Sequence, residues 1–140
     1  MDNCIFCKII KGEIPCSKVY EDDKVLAFLD LNPASPGHTL LVPKAHAATL
    51  LDLGEGFAEA VLAAQKKIGN ALMQAAGAEG FNCLQNNFAA AGQEVFHLHW
   101  HIIPRTTGDG AIQPWKPGKY EDMGRMSEMA ERLNRQIQGK

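Results

Sequence analysis

His97-Leu98-His99-Trp100-His101-Ile102-Ile103-Pro104 alternates imidazoles with large apolar side chains. Strict alternation of this kind is the pattern of a half-buried strand. Side chains on a strand repeat with period two, so His97, His99 and His101 share one face, while Leu98, Trp100 and Ile102 turn to the core. Successive imidazoles then stand roughly 6.5 to 7 Å apart. The chain has 5 histidines, and three of them fall in this one row. Packing does not call for such a row, and charging all three together would be repulsive. Imidazole suits three tasks at neutral pH: nucleophile, proton carrier and metal ligand. The choice lies between a metal site and a nucleophile that handles phosphate.

The 140 residues suit one domain, 1–140, with a histidine-bearing core over about 3–105 and a C-terminal extension over 106–140. A composition that is 46% hydrophobic and 21% charged supports a real core and excludes disorder. The net charge of −2, with no basic block, argues against nucleic acid or a polybasic membrane contact as partner. Met1-Asp2-Asn3-Cys4 lacks a basic leader, and no long apolar run follows, so the expectation is a cytoplasmic protein. Cys4, Cys7, Cys16 and Cys83 are then expected to be reduced or metal-bound.

Outward from the histidine row, the chain reads as α+β. Residues 4–10 form one or two helical turns, ended by Gly12 and Pro15. Val19–Glu21 and Val25–Leu29 make a hairpin about Asp22-Asp23, and His38–Val42 is a third strand closed by Pro43. Asp52 with Glu55 resembles a capping box ahead of a helix whose stripe is Phe57, Val61, Ala64, Ile68, Leu72 and Ala75, stopped at Gly77. Gly80–Asn87 is a fourth strand. The small-residue loop from Phe88 to Gln93 has backbone N–H groups that suit an anion. Beyond Pro104 an irregular Gly- and Pro-rich segment leads to a helix over Glu121–Gln138 with the stripe Met123, Met126, Ala130, Leu133 and Ile137. The expected architecture is an antiparallel sheet of about five strands with helices on one face.

Cys4-x-x-Cys7 has the spacing of a zinc ligand pair, and His46 and His97 are candidates to complete it. A closed Cys2His2 site would be structural, since four protein ligands leave no open position. The rival readings are two buried thiols, a redox pair, or a catalytic metal on all three row histidines. The last would have to bridge roughly 13 Å of strand.

From about residue 3 to 105 the sequence closely resembles the histidine triad family, whose hallmark His-φ-His-φ-His-φ-φ (φ apolar) fits His97 to Ile103 at every position. Phe6–Ile10, Gly12–Pro15, Tyr20–Asp23, Ala27–Asp30, Pro36–His38, Val42–Lys44, Asn86 and Gly92-Gln93 look like its nucleotide-binding protein branch. The resemblance implies a HIT-like fold: a five-stranded antiparallel sheet with one long helix and a C-terminal helix, dimerising into a ten-stranded sheet. It implies that His99 is a nucleophile toward the α-phosphorus of a nucleoside phosphoramidate, with an adenylylated histidine as intermediate and AMP as product. Imidazole attacks well at pH 7 and leaves well once protonated. His101 matches the residue touching the transferred phosphate and leaving group, and His38 a supporting histidine. Asp30 matches the carboxylate on the ribose hydroxyls. Phe6, Ile9, Phe28 and Leu31 match the purine slot, Asn86 a polar contact, and Gly92, Gln93, Glu94 and Val95 the phosphate loop. Cys4, Cys7, His46 and His97 match a structural zinc set of a subset of the superfamily, which leaves no organic cofactor to be expected.

Two departures bear on substrate. Glu94 stands where animal members carry serine, and the ending Ile102-Ile103-Pro104-Arg105 is closer to members that hydrolyse dinucleoside polyphosphates. Hydrolysis of dinucleoside polyphosphates, and nucleotide-binding scaffolding with little turnover, are the alternative functions.

Overall fold

A computed structural model describes residues 3–139. Met1 and Asp2, where the leader was sought, and Lys140 lie outside the described residues. The elements run α1 (Ile5–Ile10), β1 (Lys18–Glu21), β2 (Val25–Leu29), β3 (Thr39–Pro43), α2 (Ala58–Ala75), β4 (Gly80–Gln85), β5 (Trp100–Arg105) and α3 (Met123–Ile137), with short 3-10 turns at Leu50–Asp52 and Ala89–Ala91. The five strands form one antiparallel sheet in the order β1-β2-β3-β5-β4. This is the expected α+β fold with one long helix and a C-terminal helix.

Alternation along β2 and β3 sends their side chains to two different cores. Val25, Ala27 and Leu41, with Ile102 of β5, meet Val61, Ala64, Ile68 and Leu72 of α2. Leu26, Phe28, Leu40 and Val42 point the other way and pack with Phe6 of α1. The sequence pattern places the helices on one face; they lie on both. Helix α2 covers one side and α1 the other. Both sides of β2 and β3 are sealed, which explains why both read as nearly continuous apolar runs.

Two local expectations are corrected. The capping box exists one turn earlier: Thr49 caps the 3-10 turn Leu50–Asp52, Asp52 answers it from the third position, and α2 starts at Phe57 without a side-chain cap. Ala75 is exposed, and Ala78 takes the buried place instead after the chain reverses at Gly77, whose φ is +68°. The buried Gly69 lies beneath the ring of Phe81, where a Cβ would overlap that ring, so α2 and β4 approach at this point as only glycine permits.

The histidine row is strand for only part of its length. Strand β5 begins at Trp100, so His97 and His99 precede it. Leu98 N–H donates to the Ala47 carbonyl (2.7 Å) rather than into the sheet. Alternation survives, because Leu98 and Ile102 are fully buried, but the ladder does not reach back to His97. Helix α3 keeps its expected stripe, and all of it is exposed, Ile137 at 83%. No helix among the described residues is long and apolar enough to cross a membrane.

Candidate active site and metal centre

Cys4 is the N-cap of α1 and accepts the Cys7 N–H on its sulfur (3.3 Å), which folds the Cys-x-x-Cys pair into one turn. His46 arrives from the loop after β3, and His97 from just ahead of β5. Cys4 Sγ lies 3.3 Å from His97 Nδ1, Cys7 Sγ 3.4 Å from His46 Nδ1 and 3.5 Å from His97 Nδ1, and the two Nδ1 atoms are 3.2 Å apart. Tetrahedral zinc with ordinary Zn–S and Zn–N bonds puts such donors about 3.3 to 3.6 Å apart. His97 Nε2–H donates to the Pro43 carbonyl (2.9 Å), which leaves the Nδ1 lone pair facing the sulfurs. Donor chemistry, spacing and tautomer all fit zinc, and four protein ligands would fill its coordination, so the metal would brace rather than react.

His97 also shapes its neighbour two residues on. Its carbonyl accepts the Nδ1–H of His99 at 2.7 Å. With that proton committed, the neutral His99 ring presents an unprotonated Nε2. A second chain of hydrogen bonds fixes His101. Ala34 N–H donates to His38 Nδ1 (2.9 Å), so the His38 proton sits on Nε2, which donates to His101 Nδ1 (2.9 Å). His101 then carries its own proton on Nε2. The His99 and His101 rings are 4.9 Å apart, centre to centre. The result is one imidazole with a free lone pair beside one with an N–H to give. Sequence spacing could not say which triad member His38 touches. It touches His101, across β3 and β5, whose register sets Leu40 opposite His101.

Burial sets the charge of these rings. It holds the His99 pKa below the ordinary imidazole value, partly offset by the hydrogen bond to the His97 carbonyl. Burial also lowers His38, against the pull of Asp30, whose Oδ2 is 3.6 Å from His38 Nε2. His101 is pushed down to about 4, by burial first and then by His99 and His38. All three are neutral at pH 7. A group whose folded pKa is depressed favours the unfolded state as acid is added. Stability is therefore expected to be full above pH 6.5 and to fall between 6.5 and about 4 as the unfolded chain takes the proton first. Chemical denaturation across that range checks this. The slope should be shallower in His101→Asn, which separates the triad from acid-driven loss of metal.

His99 and His101 open into a cleft of about 690 Å³. Phe6, Ile9, Phe28 and Leu31 form an apolar wall, in which Phe6 and Phe28 are buried and Leu31 is 94% exposed at the mouth. Asp30, Asn86, Gly92, Glu94 and Val95 also line it. The chain contributes two carboxylates, Asp30 and Glu94, to this lining and no lysine or arginine. The Gly92 and Gln93 N–H groups are spent within the loop, on the carbonyls of Ala89 and Phe88. Those of Glu94 and Val95, two residues of the lining, have no hydrogen-bond partner among the described residues.

Gln93 is not in the lining. Its buried amide donates to the Ala48 carbonyl (2.6 Å) and the Val95 carbonyl (3.1 Å) and accepts from the Phe88 N–H (2.7 Å). It holds the loop in shape around Phe88, whose φ of +73° is unusual for any residue but glycine. Sequence reading passed over other lining residues: Ile5, Leu40 and the segment from Ile14 to Ser17. Leu40 could have been found from its register opposite His101. The 14–17 segment carries no signal of its own.

A model of the HIT domain family matches residues 11–108. An adenosine 5'-monophosphoramidase of Schizosaccharomyces pombe is 48% identical over 103 residues, covering 74% of this chain and 74% of that protein. An adenylylsulfatase of Arabidopsis thaliana is 50% identical over 108 residues, covering 77% of this chain and 55% of that protein. Among solved structures, a HIT family protein from Bacillus anthracis superposes with a TM-score of 0.89 at 43% identity, over 96% of this chain and 97% of that one. A zinc-bound histidine triad protein from Mycobacterium smegmatis superposes with a TM-score of 0.75 at 33% identity, over 95% and 96%. The five-stranded sheet and its histidine row thus define a histidine triad protein, and the chain belongs to the HIT domain family.

Proposed function

We propose that this protein is a purine-nucleotide phosphoramidase acting at the α-phosphate through a covalent adenylyl-His99 intermediate. The observation that carries this reading is the His99 tautomer: Nδ1–H is held by the His97 carbonyl, and Nε2 is left free beside the N–H of His101. In the first step the Nε2 lone pair attacks phosphorus. A P–Nε2 bond forms, the P–N bond to the leaving amine breaks, and the amine departs with the Nε2 proton of His101, whose ring stands 4.9 Å from that of His99. In the second step water attacks phosphorus, its proton returns to His101 Nε2, the P–Nε2 bond breaks, and AMP leaves with His99 restored. The Glu94 and Val95 N–H groups would meet charge building on the phosphate oxygens, Asn86 would contact phosphate and ribose, Asp30 the ribose hydroxyls, and the Phe6–Ile9–Phe28–Leu31 wall the purine. Zinc on Cys4, Cys7, His46 and His97 would supply rigidity. That relatives include a phosphoramidase and an adenylylsulfatase, both named for adenylyl compounds, supports nucleotide hydrolysis as the general activity.

The dinucleoside polyphosphate alternative rests on the Ile102-Ile103-Pro104-Arg105 ending, whose one charged side chain is Arg105. That side chain does not line the cleft: it is held by Asp109 (2.7 Å) and by Asn82 (2.8 Å). With no cation from this chain in the lining, a polyphosphate leaving group meets no positively charged side chain there. The deciding experiment offers adenosine phosphoramidate and a diadenosine polyphosphate together and follows AMP release by chromatography. The phosphoramidate should be consumed at least about tenfold faster, a margin of roughly 1.4 kcal/mol in barrier. Preferential loss of the dinucleotide would overturn the reading, and loss of neither would leave a binding protein.

The same reading includes a homodimer with a ten-stranded sheet. Its support here is that β4 is an open sheet edge flanked by the exposed Phe81 and Leu84. Light scattering should give twice the chain mass, and a monomer would refute it.

A further inference from the structure

The metal cluster and the cleft share their walls. Helix α1 has six residues, too few to be stable alone, so its place depends on what holds it. It is held by the apolar cluster around Phe6 and, at its first turn, by Cys4 and Cys7. Phe6 lies between the two cysteines in sequence. Its ring stands edge-on to three others: 5.9 Å from His97, 5.1 Å from His99 and 5.6 Å from Phe28. One side chain thus touches a metal ligand, the triad's middle imidazole and the apolar wall. His97 makes the second link, with Nδ1 facing the sulfurs and its carbonyl holding His99 at 2.7 Å.

We propose that the Cys4–Cys7–His46–His97 cluster positions the cleft as well as bracing the fold, so that metal and nucleotide bind with positive coupling, carried by Phe6 and the His97 carbonyl. This rests on the cleft being a nucleotide site. Metal at the cluster fixes the turn that carries Phe6 and the peptide that orients His99. A nucleotide base on Phe6 fixes the same turn from the other side. Linkage requires the two effects to be equal: whatever factor the metal adds to nucleotide affinity, the nucleotide adds to metal affinity.

The test uses the full chain, zinc and AMP. AMP affinity is measured by calorimetry on zinc-loaded and zinc-free protein. Zinc affinity is measured by chelator competition with and without saturating AMP. Both factors are expected to be about tenfold and to agree, within the usual range of coupling between sites. Phe6→Ala, at AMP concentrations that saturate it, should still take up zinc while both factors fall toward one. AMP affinity that is the same with and without zinc would overturn the coupling and leave the nucleotide reading standing. If zinc-free protein does not fold, the chelator arm decides. AMP would then protect zinc simply by favouring the folded state, and that protection would survive Phe6→Ala, which also overturns the proposal. Failure of AMP to bind zinc-loaded protein would remove the nucleotide reading and the coupling together.

Discussion

Replacing His99 with alanine is expected to cut AMP release by at least about four orders of magnitude while AMP affinity stays within about threefold of wild type. The split follows from the geometry. His99 presents the free Nε2 lone pair, and no neighbour can take over. His97 faces the sulfurs with one nitrogen and the Pro43 carbonyl with the other. His101 accepts from His38 on Nδ1 and carries its proton on Nε2. The affinity, by contrast, would come from the apolar wall, Asp30 and the loop N–H groups, which the substitution leaves in place. Single-turnover AMP release measures the first quantity and calorimetry the second. Intact-protein mass spectrometry after a neutral quench should show the adenylyl adduct in wild type and not in His99→Ala. Turnover close to wild type in the variant would discard the covalent mechanism.

Cys7→Ser should abolish stoichiometric zinc and lower stability by about 4 kcal/mol where free zinc exceeds its dissociation constant a thousandfold. In a chain of this length that is a melting point lower by roughly 10 °C or more. Cys7 Sγ is within 3.5 Å of both histidine donors, so its loss removes a vertex of the tetrahedron and loosens the turn on which Phe6 rides. Cys83→Ser is the control, because that thiol lies on β4 and outside the cluster. Metal analysis of protein purified without chelator, alongside thermal unfolding, reads both effects. Equal melting points for the two variants would mean that the four side chains converge for a reason other than metal.

Elements with a strong pattern of their own are legible in the sequence. The β2 and β3 runs, the α2 stripe and the Cys-x-x-Cys turn each announce a local period, and each stands where that period puts it. What escaped depends on partners far along the chain. Alternation over 97–103 predicts a ladder, yet the ladder stops at Trp100 because His97 is bound to the Cys4–Cys7 turn and the Leu98 N–H is taken by Ala47. Asp52 carries the capping signal, but its partner is Thr49 behind it rather than Glu55 ahead. The position of α1 on the opposite face from α2 is set by Phe6 meeting Phe28 and Leu40, which no window of the sequence contains. Gln93 looks like a ligand by its place beside Gly92, but its amide is consumed by three backbone groups of the loop it supports. Among the site residues, family resemblance supplied the candidates. Only the hydrogen bonds show how protons are divided among His38, His99 and His101.

The missing cations have a consequence for how the cleft would work in a salty, polyphosphate-rich solution. Ammonium and guanidinium groups attract phosphate through a field that dissolved ions screen within about 8 Å at physiological ionic strength. Backbone dipoles at contact distance, such as the Glu94 and Val95 N–H groups, are compact and directional, so dissolved ions compete with them little. A nucleotide held in this way beside Asp30 and Glu94 would bind with an affinity that does not fall as salt is added. A triphosphate would bring extra negative charge toward Asp30 and Glu94 and meet no positively charged side chain in this lining. On the proposed function, a wall built without lysine or arginine would favour a monophosphate ester over a triphosphate.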